Sequence, residues 1–250
     1  MRPSRLAILL ALGLAGCQTN RDGVAINLTA LSQVLRHPEQ LRPAQIDWFT
    51  QALGPAQHND LGVLYEREGR LDDAARQYNL AILKDPGFAK AYVNLGNARR
   101  KQGRNEEALV RYREAMSLEP GNFAGVNNFA DLCAELGQHL DEAITRLTAA
   151  LKAQGGSNPY GLDTLGWLYH LAGQSARGLP MLESAAGLAA TDRALAATVR
   201  CHLALLYAAL GRRAEAVAQA RQARELGLTP RQSAELQRVL GGSDYESGRP

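Results

Sequence analysis

Apolar residues recur along this chain at two spacings, one helical and one much longer. Leu61 and Tyr65 stand four apart, as do Ala74 and Tyr78, with Ala81 three further on. Residues three and four apart lie on one helix face, so each set predicts an apolar stripe on a helix. The stripes then repeat as a block. Leu61, Gly62, Gly69, Ala74, Tyr78, Ala81 and Pro86 recur 34 residues later as Leu95, Gly96, Gly103, Ala108, Tyr112, Ala115 and Pro120. Seven matched pairs at one offset are the signature of a repeat architecture.

Each repeated residue has a physical task. Gly62 has no side chain, which lets a second helix approach closely. Gly69 suits a left-handed residue at the end of the first helix. Ala74 and Ala81 are small enough for tight helix packing, and Tyr78 fills the space between helices. Pro86 cannot continue a helix and marks the step to the next unit. This order of residues resembles the tetratricopeptide repeat. The resemblance implies an all-α fold, a right-handed superhelical solenoid of about five helix-turn-helix repeats with a C-terminal capping helix.

In that register the repeats fall at about 55–88, 89–122, 123–156, 159–192 and 197–230, with the cap at 230–241. The third takes one extra residue near His139, and Gly155 to Pro159 lengthens the loop after it. Gly178 and Pro180 stand where a helix prefers Ala, so the second helix of repeat four is expected to be shortened or bent. Thr229-Pro230 opens the last helix as N-cap and first turn, and Gly241-Gly242 ends it. The whole repeat domain is read as 55–241. One or two helices are expected over 31–54 and a disordered tail over 242–250.

The start of the chain follows a different pattern. Arg2 and Arg5 precede an apolar run from Leu6 to Leu14, and Leu14-Ala15-Gly16-Cys17 follows. A positive start, a short apolar stretch and small residues before a cut describe a secretory signal peptide, here 1–16. Nine apolar residues cannot span about 30 Å of hydrocarbon. The four-residue ending resembles the bacterial lipobox. That resemblance implies that Cys17 becomes the first mature residue and carries the lipid. A thiol is the one side chain there that a diacylglycerol donor can alkylate; an ordinary signal with a chance Cys is the alternative. Gln18 is not the Asp that commonly marks inner-membrane retention, so the resemblance implies the outer membrane, facing the periplasm. Residues 17–30, poor in large apolar groups, read as a flexible tether.

Composition agrees with helices. Hydrophobic residues make up 46% of the 250 residues and aromatics only 6%, with Ala and Leu prominent. The formal charge is +3. Removing Arg2 and Arg5 with the signal leaves about +1. No like-charge block exceeds Arg99-Arg100-Lys101. Nucleic acid would want a basic stripe, so it is not an expected partner.

By the family resemblance, first helices line a concave surface. The lining positions give Asn59, Asp60, Glu66 and Arg67 in repeat one, and Lys90, Asn94, Asn97, Arg100 and Lys101 in repeat two. Repeat three gives Asn127, Asn128, Asp131 and Glu135, and repeat four gives Asp163, Trp167 and His170. Asp60, Asn94 and Asn128 fall 34 apart, as do Asn97 and Asp131. Stacked amides can donate to and accept from an extended peptide backbone. The alternative is an ordinary solvated helix face. The Lys and Asn clamp by which some relatives hold a terminal carboxylate is matched only at Asn94. Trp167 reads either as a binding anchor or as packing under the 155–159 loop.

Cys133 and Cys201 fall two repeats apart, about 20 Å at helix spacings of 8–10 Å, against the roughly 4.4–6.8 Å between Cα atoms of a disulfide. Two free thiols are expected. No metal-ligand spacing, P-loop, GxSxG, HExxH or GxGxxG occurs, so neither an enzyme nor a cofactor nor a small-molecule substrate is expected. The reading is a lipid-anchored scaffold that binds a protein or extended peptide segment in the bacterial envelope. Its size and repeats resemble the pilotins of type IV pilus secretins and the assembly lipoproteins of Flp (Tad) pili. Asn127-Asn128-Phe129 followed by Leu132-Cys133 resembles a pilotin motif, one residue shorter. An adaptor recruiting cell-wall hydrolases or proteases is the other reading. The anchor is tested by Cys17→Ser: the variant should accumulate uncleaved or soluble and no longer label with palmitate, and undiminished labelling would contradict it.

Overall fold

The computed structural model describes residues 53–241, and the backbone alone of 17–19 and 25–27. The helices expected over 31–54 (but for its last two residues), the signal peptide over 1–16 and the tail over 242–250 lie outside the described residues. The chain divides into two compact units, Met1–Glu119 and Pro120–Pro250.

Among its described residues the first unit holds a short ribbon and four helices. β1 (Cys17–Thr19) pairs antiparallel with β2 (Ala25–Asn27), Cys17 opposite Asn27. This ribbon lies within the segment read as a tether. The turn formers Asn20, Asp22 and Gly23 between the strands are the sequence signal for it. Then come α1 (Pro55–Arg67), α2 (Leu71–Lys84), α3 (Ala89–Lys101) and α4 (Asn105–Leu118). They form the pairs α1–α2 and α3–α4, with α2 packed on α3. The second unit holds three further pairs: α5 (Phe123–Leu136) with α6 (Leu140–Ala153), α7 (Pro159–Leu171) with α8 (Ser175–Leu188), and α9 (Arg193–Ala209) with α10 (Arg213–Leu226). The cap, α11 (Pro230–Leu240), packs on α9 and α10 through Leu236 and Leu240. Among the described residues this is an all-helical repeat fold apart from the ribbon.

The pairs close on glycine. A Cβ built on Gly62 would lie 2.5 Å from the Tyr78 ring, and one on Gly96 would lie 2.5 Å from the Tyr112 ring. Both tyrosines are fully buried. Their hydroxyls reach the pair's edge, Tyr78 donating to Glu66 Oε2 at 2.8 Å and Tyr112 to Asn97 Oδ1 at 2.8 Å. A buried phenol thus keeps a partner for its one polar group.

One glycine per pair makes the hairpin turn. Gly69, Gly103, Gly137, Gly173 and Gly211 have φ of 76°, 74°, 66°, 74° and 73°. The extra residue of repeat three is absorbed just after this turn, where His139 itself takes φ 53°. In three pairs an arginine at or near the start of the second helix lies over the last tyrosine of the first: Arg70 over Tyr65, Arg177 over Tyr169 and Arg212 over Tyr207, at 4.2–4.5 Å.

Two expectations are corrected here. Of the two outcomes expected for helix α8, shortened or bent, the first does not hold: it has 14 residues, like α2, with Pro180 inside it. Its Gly178 stands where Ala74 stands in repeat one. A Cβ there would lie 2.4 Å from the Gly166 carbonyl oxygen, so this pair approaches backbone to backbone. The fifth repeat also starts earlier than 197. Helix α9 has 17 residues from Arg193, because Asp192 caps it by accepting from Leu195 N at 3.0 Å.

Gly96→Ala should therefore cost more than Gly103→Ala, although both glycines belong to the same repeat. The first forces a methyl into the Tyr112 ring, at about 1–3 kcal/mol. The second meets no atom within 4 Å and strains only a left-handed residue, at about 1–2 kcal/mol. Urea unfolding of the two variants gives the order.

A groove among the first helices of the second unit

In the second unit α7 packs against both α5 and α9. Three of these first helices begin on an Asx cap. Asn122 Oδ1 accepts from Gly125 N at 3.0 Å, Asn158 Oδ1 from Gly161 N at 3.1 Å, and Asp192 Oδ1 from Leu195 N at 3.0 Å. Such caps satisfy amides that have no helical partner. Between the three helices lies a groove of about 370 Å3. Asn127 and Asp131 of α5, Tyr160, Asp163 and Thr164 of α7, and Asp192, Ala194, Leu195 and Thr198 at the start of α9 line it.

The lining is rich in acceptors and carries no Lys or Arg. Asp192 is held ionised: the Leu195 amide and the Tyr160 hydroxyl, 2.5 Å away, lower its pKa. Asp192 in turn raises that of Tyr160. Asn127 Oδ1 is buried and has no hydrogen-bond partner. Asp163 is 7% exposed and bonds His202 Nδ1 at 2.8 Å.

Next to this pair the Trp167 ring stacks with two imidazoles. His170 lies 4.8 Å away at 27° and His202 lies 4.4 Å away at 11°, centroid to centroid. Trp167 is half-buried in this stack. Burial, then the charge of His202, lowers the pKa of His170. For His202 burial acts to lower it, but the adjacent Asp163 carboxylate and its hydrogen bond outweigh this, and the net shift is upward.

The residues expected to line a groove divide between the units. In the first, Asn59 is a correction: it is 1% exposed, and its Oδ1 accepts from Asn94 Nδ2 at 2.7 Å. That bond ties α1 to α3. Asn97 is half-buried and accepts from Tyr112. Lys101 is exposed and pairs with Glu66 at 2.7 Å. Lys90 is exposed and Arg100 half-buried. In the second unit Asn127 and Asp131 line the groove, while Asn128 is half-buried and does not line it. The apolar members of the Asn127-Asn128-Phe129 and Leu132-Cys133 motif are fully buried. Tyr160 and Thr164 stand at the second and sixth positions of repeat four and were passed over there. Asp192 and the start of α9 were missed because the register placed the fifth repeat four residues late. Asp192 as a helix cap was the signal that could have found them.

Cys133 and Cys201 are both buried. Burial pushes the Cys201 thiol up to about 12, so it is no nucleophile. Among the described residues no group of three or more His, Cys, Asp or Glu is arranged to hold a metal ion. Among them, too, no helix is long and apolar enough to cross a membrane.

A tetratricopeptide repeat family model matches residues 89–122, which are α3 and α4 with their turns. Residues 89–122 are a tetratricopeptide repeat, and the helix pairs share the fold of tetratricopeptide repeat proteins. Over 65 residues it is 37% identical to the tetratricopeptide repeat domain-containing protein PYG7, chloroplastic, of Arabidopsis thaliana. That stretch is 26% of this chain and 22% of that protein's length. Among solved structures, Pseudomonas aeruginosa pilF aligns at 19% identity and a TM-score of 0.63, over 77% of this chain and 86% of that one. YrrB, described as a tetratricopeptide repeat protein with an unusual peptide-binding site, aligns at 16% identity and 0.58, over 73% and 91%. At these identities the likeness is one of fold. Tetratricopeptide repeat proteins mediate protein–protein interaction, and their fold is a scaffold rather than a catalyst.

The Asn59–Asn94 bond has a measurable consequence. Asn59→Ala leaves a half-buried amide short of an acceptor and should destabilise the first unit by about 1–3 kcal/mol. Lys90→Ala, at an exposed site, should shift stability by less than about 0.5 kcal/mol. Denaturant melts of both variants make the comparison.

Proposed function

We propose that this helical repeat protein is a lipid-anchored scaffold of the bacterial envelope, and that the groove of its second unit holds an extended segment of a partner protein. One observation carries the binding half of this reading. Three consecutive first helices, α5, α7 and α9, line one groove with polar atoms, among them the buried, unpaired Asn127 Oδ1. An acceptor in that state costs free energy until a donor reaches it. A peptide backbone supplies N–H donors at regular intervals, and the surrounding carboxylates favour a segment that carries Lys or Arg. YrrB is an instance of the fold with a peptide-binding site.

The anchoring half rests on Leu14-Ala15-Gly16-Cys17. The lipid holds the scaffold at the outer membrane, where the bound partner joins a larger assembly. The likeness of Asn127-Asn128-Phe129 and Leu132-Cys133 to a pilotin motif favours a pilus or secretion machine.

The test is cross-linking in membranes followed by titration of the recovered partner's segment. In the variant Asn127→Ala/Asp131→Asn, affinity should fall by about 1–3 kcal/mol, a factor of roughly 5–150. The melting temperature should stay within about 2 °C of the parent. Undiminished binding with a normal melt would move the contact away from this groove.

A further inference from the structure

The polar groups around Trp167 do more than line a wall. His202 lies on α9 and Asp163 on α7, so their 2.8 Å contact joins the fifth repeat to the fourth. The same imidazole stacks on Trp167 at 11° and 4.4 Å, and His170 stacks on that ring at 27° and 4.8 Å. A protonated imidazole gains from both neighbours, through the carboxylate and through the ring's negative face. Two imidazoliums stacked on one indole would repel, so the cluster accepts one proton, and geometry favours His202, which has the carboxylate.

We propose that His202 is a proton-dependent tie between the fourth and fifth repeats that sets the charge of the acidic groove. Protonated, it neutralises Asp163 and clamps Trp167. Deprotonated, it leaves the Asp163 carboxylate without a countercharge, next to Asp131 and Asp192 in the same groove. The groove then carries one more net negative charge toward whatever occupies it. In regulating that occupancy, this tie rests on the binding site proposed above; as a tie between repeats it stands without it.

The groups facing His202 agree with the direction. Asp163 from α7, Glu235 from the cap α11 and Asp131 from α5 all favour its proton, against its own burial. His170, also on α7, is the one neighbouring group that opposes a second charge there. From α8, Glu183 is taken by the Tyr207 hydroxyl, and from α10, Gln219 is taken by Arg200. The folded pKa of His202 is raised above its unfolded value. The stability it contributes is therefore fully present below the unfolded pKa and is lost as pH rises through the folded one.

Trp167 reports the state directly, because an imidazolium stacked on an excited indole quenches it and a neutral imidazole does not. The sequence contains two tryptophans, so Trp48→Phe in the full chain leaves Trp167 as the single fluorophore. Its emission should rise in one step as pH rises, with a midpoint above that of a free imidazole. His202→Asn should abolish the step, His170→Asn should keep it, and Asp163→Asn should move it to lower pH. Thermal melts should show the parent more stable than His202→Asn by on the order of 3–8 °C at the acid end, with the gap closing as pH rises. A ring-proton NMR titration of the unmutated protein serves should a variant not fold: His202 should titrate above His170. A step that survives His202→Asn, a flat profile, or two rings titrating together would overturn the tie. A normal step together with unimpaired partner binding by Asn127→Ala/Asp131→Asn would instead overturn the groove reading and leave the tie standing.

Discussion

The helix pair depends on how closely two backbones can approach, and that distance is fixed at one position in each first helix. Gly62 and Gly96 receive the faces of Tyr78 and Tyr112 at distances no Cβ could share. The large ring fills what the missing side chain leaves open, and its hydroxyl finds Glu66 or Asn97 at the edge. Elsewhere the same volume is divided differently. Gly166 faces Leu182 and the Gly178 backbone. At the equivalent register Ala130 and Ala204 stand in place of glycine, with the smaller Leu147 and Ala220 in place of tyrosine, all four buried. Interiors are packed too densely for one partner to grow unless the other shrinks. Where the first helix gains a methyl, the second carries a residue smaller than tyrosine.

This explains what sequence could disclose. Repeats one and two carry Gly and Tyr at a strict 34-residue offset, and their helices fall where the offset puts them. In repeat four Gly178 and Pro180 look like helix breakers when judged by propensity alone. In the fold Gly178 is the contact surface with Gly166, and tertiary packing overrides propensity at that point. In repeat five a fixed period hid the extra turn of α9, because Asp192 acts locally as a cap and obeys no repeat.

The site was legible in the same uneven way. Asn127 and Asp131 lie where the lining positions of a first helix put them. Asn59 satisfies the same rule and yet is buried, because its amide meets Asn94 across two helices, and side-chain pairing is invisible to a one-dimensional register. Trp167 was open between an anchor and a packing role. It stacks with His170 and His202, a grouping that joins residues three and 35 positions away along the chain.

Asp192 serves two masters at once. One of its oxygens starts α9, the other receives Tyr160, and its charge belongs to the groove wall. Asn caps a helix about as well as Asp. A lineage could therefore discharge this wall by a single substitution while retaining the helix start, or restore the charge by the reverse step. Most sites entangle architecture with recognition, so that a new partner must be acquired at the expense of folding. Under the proposed binding mode the two are separable within one side chain, and partner choice could drift along a path that the fold scarcely registers.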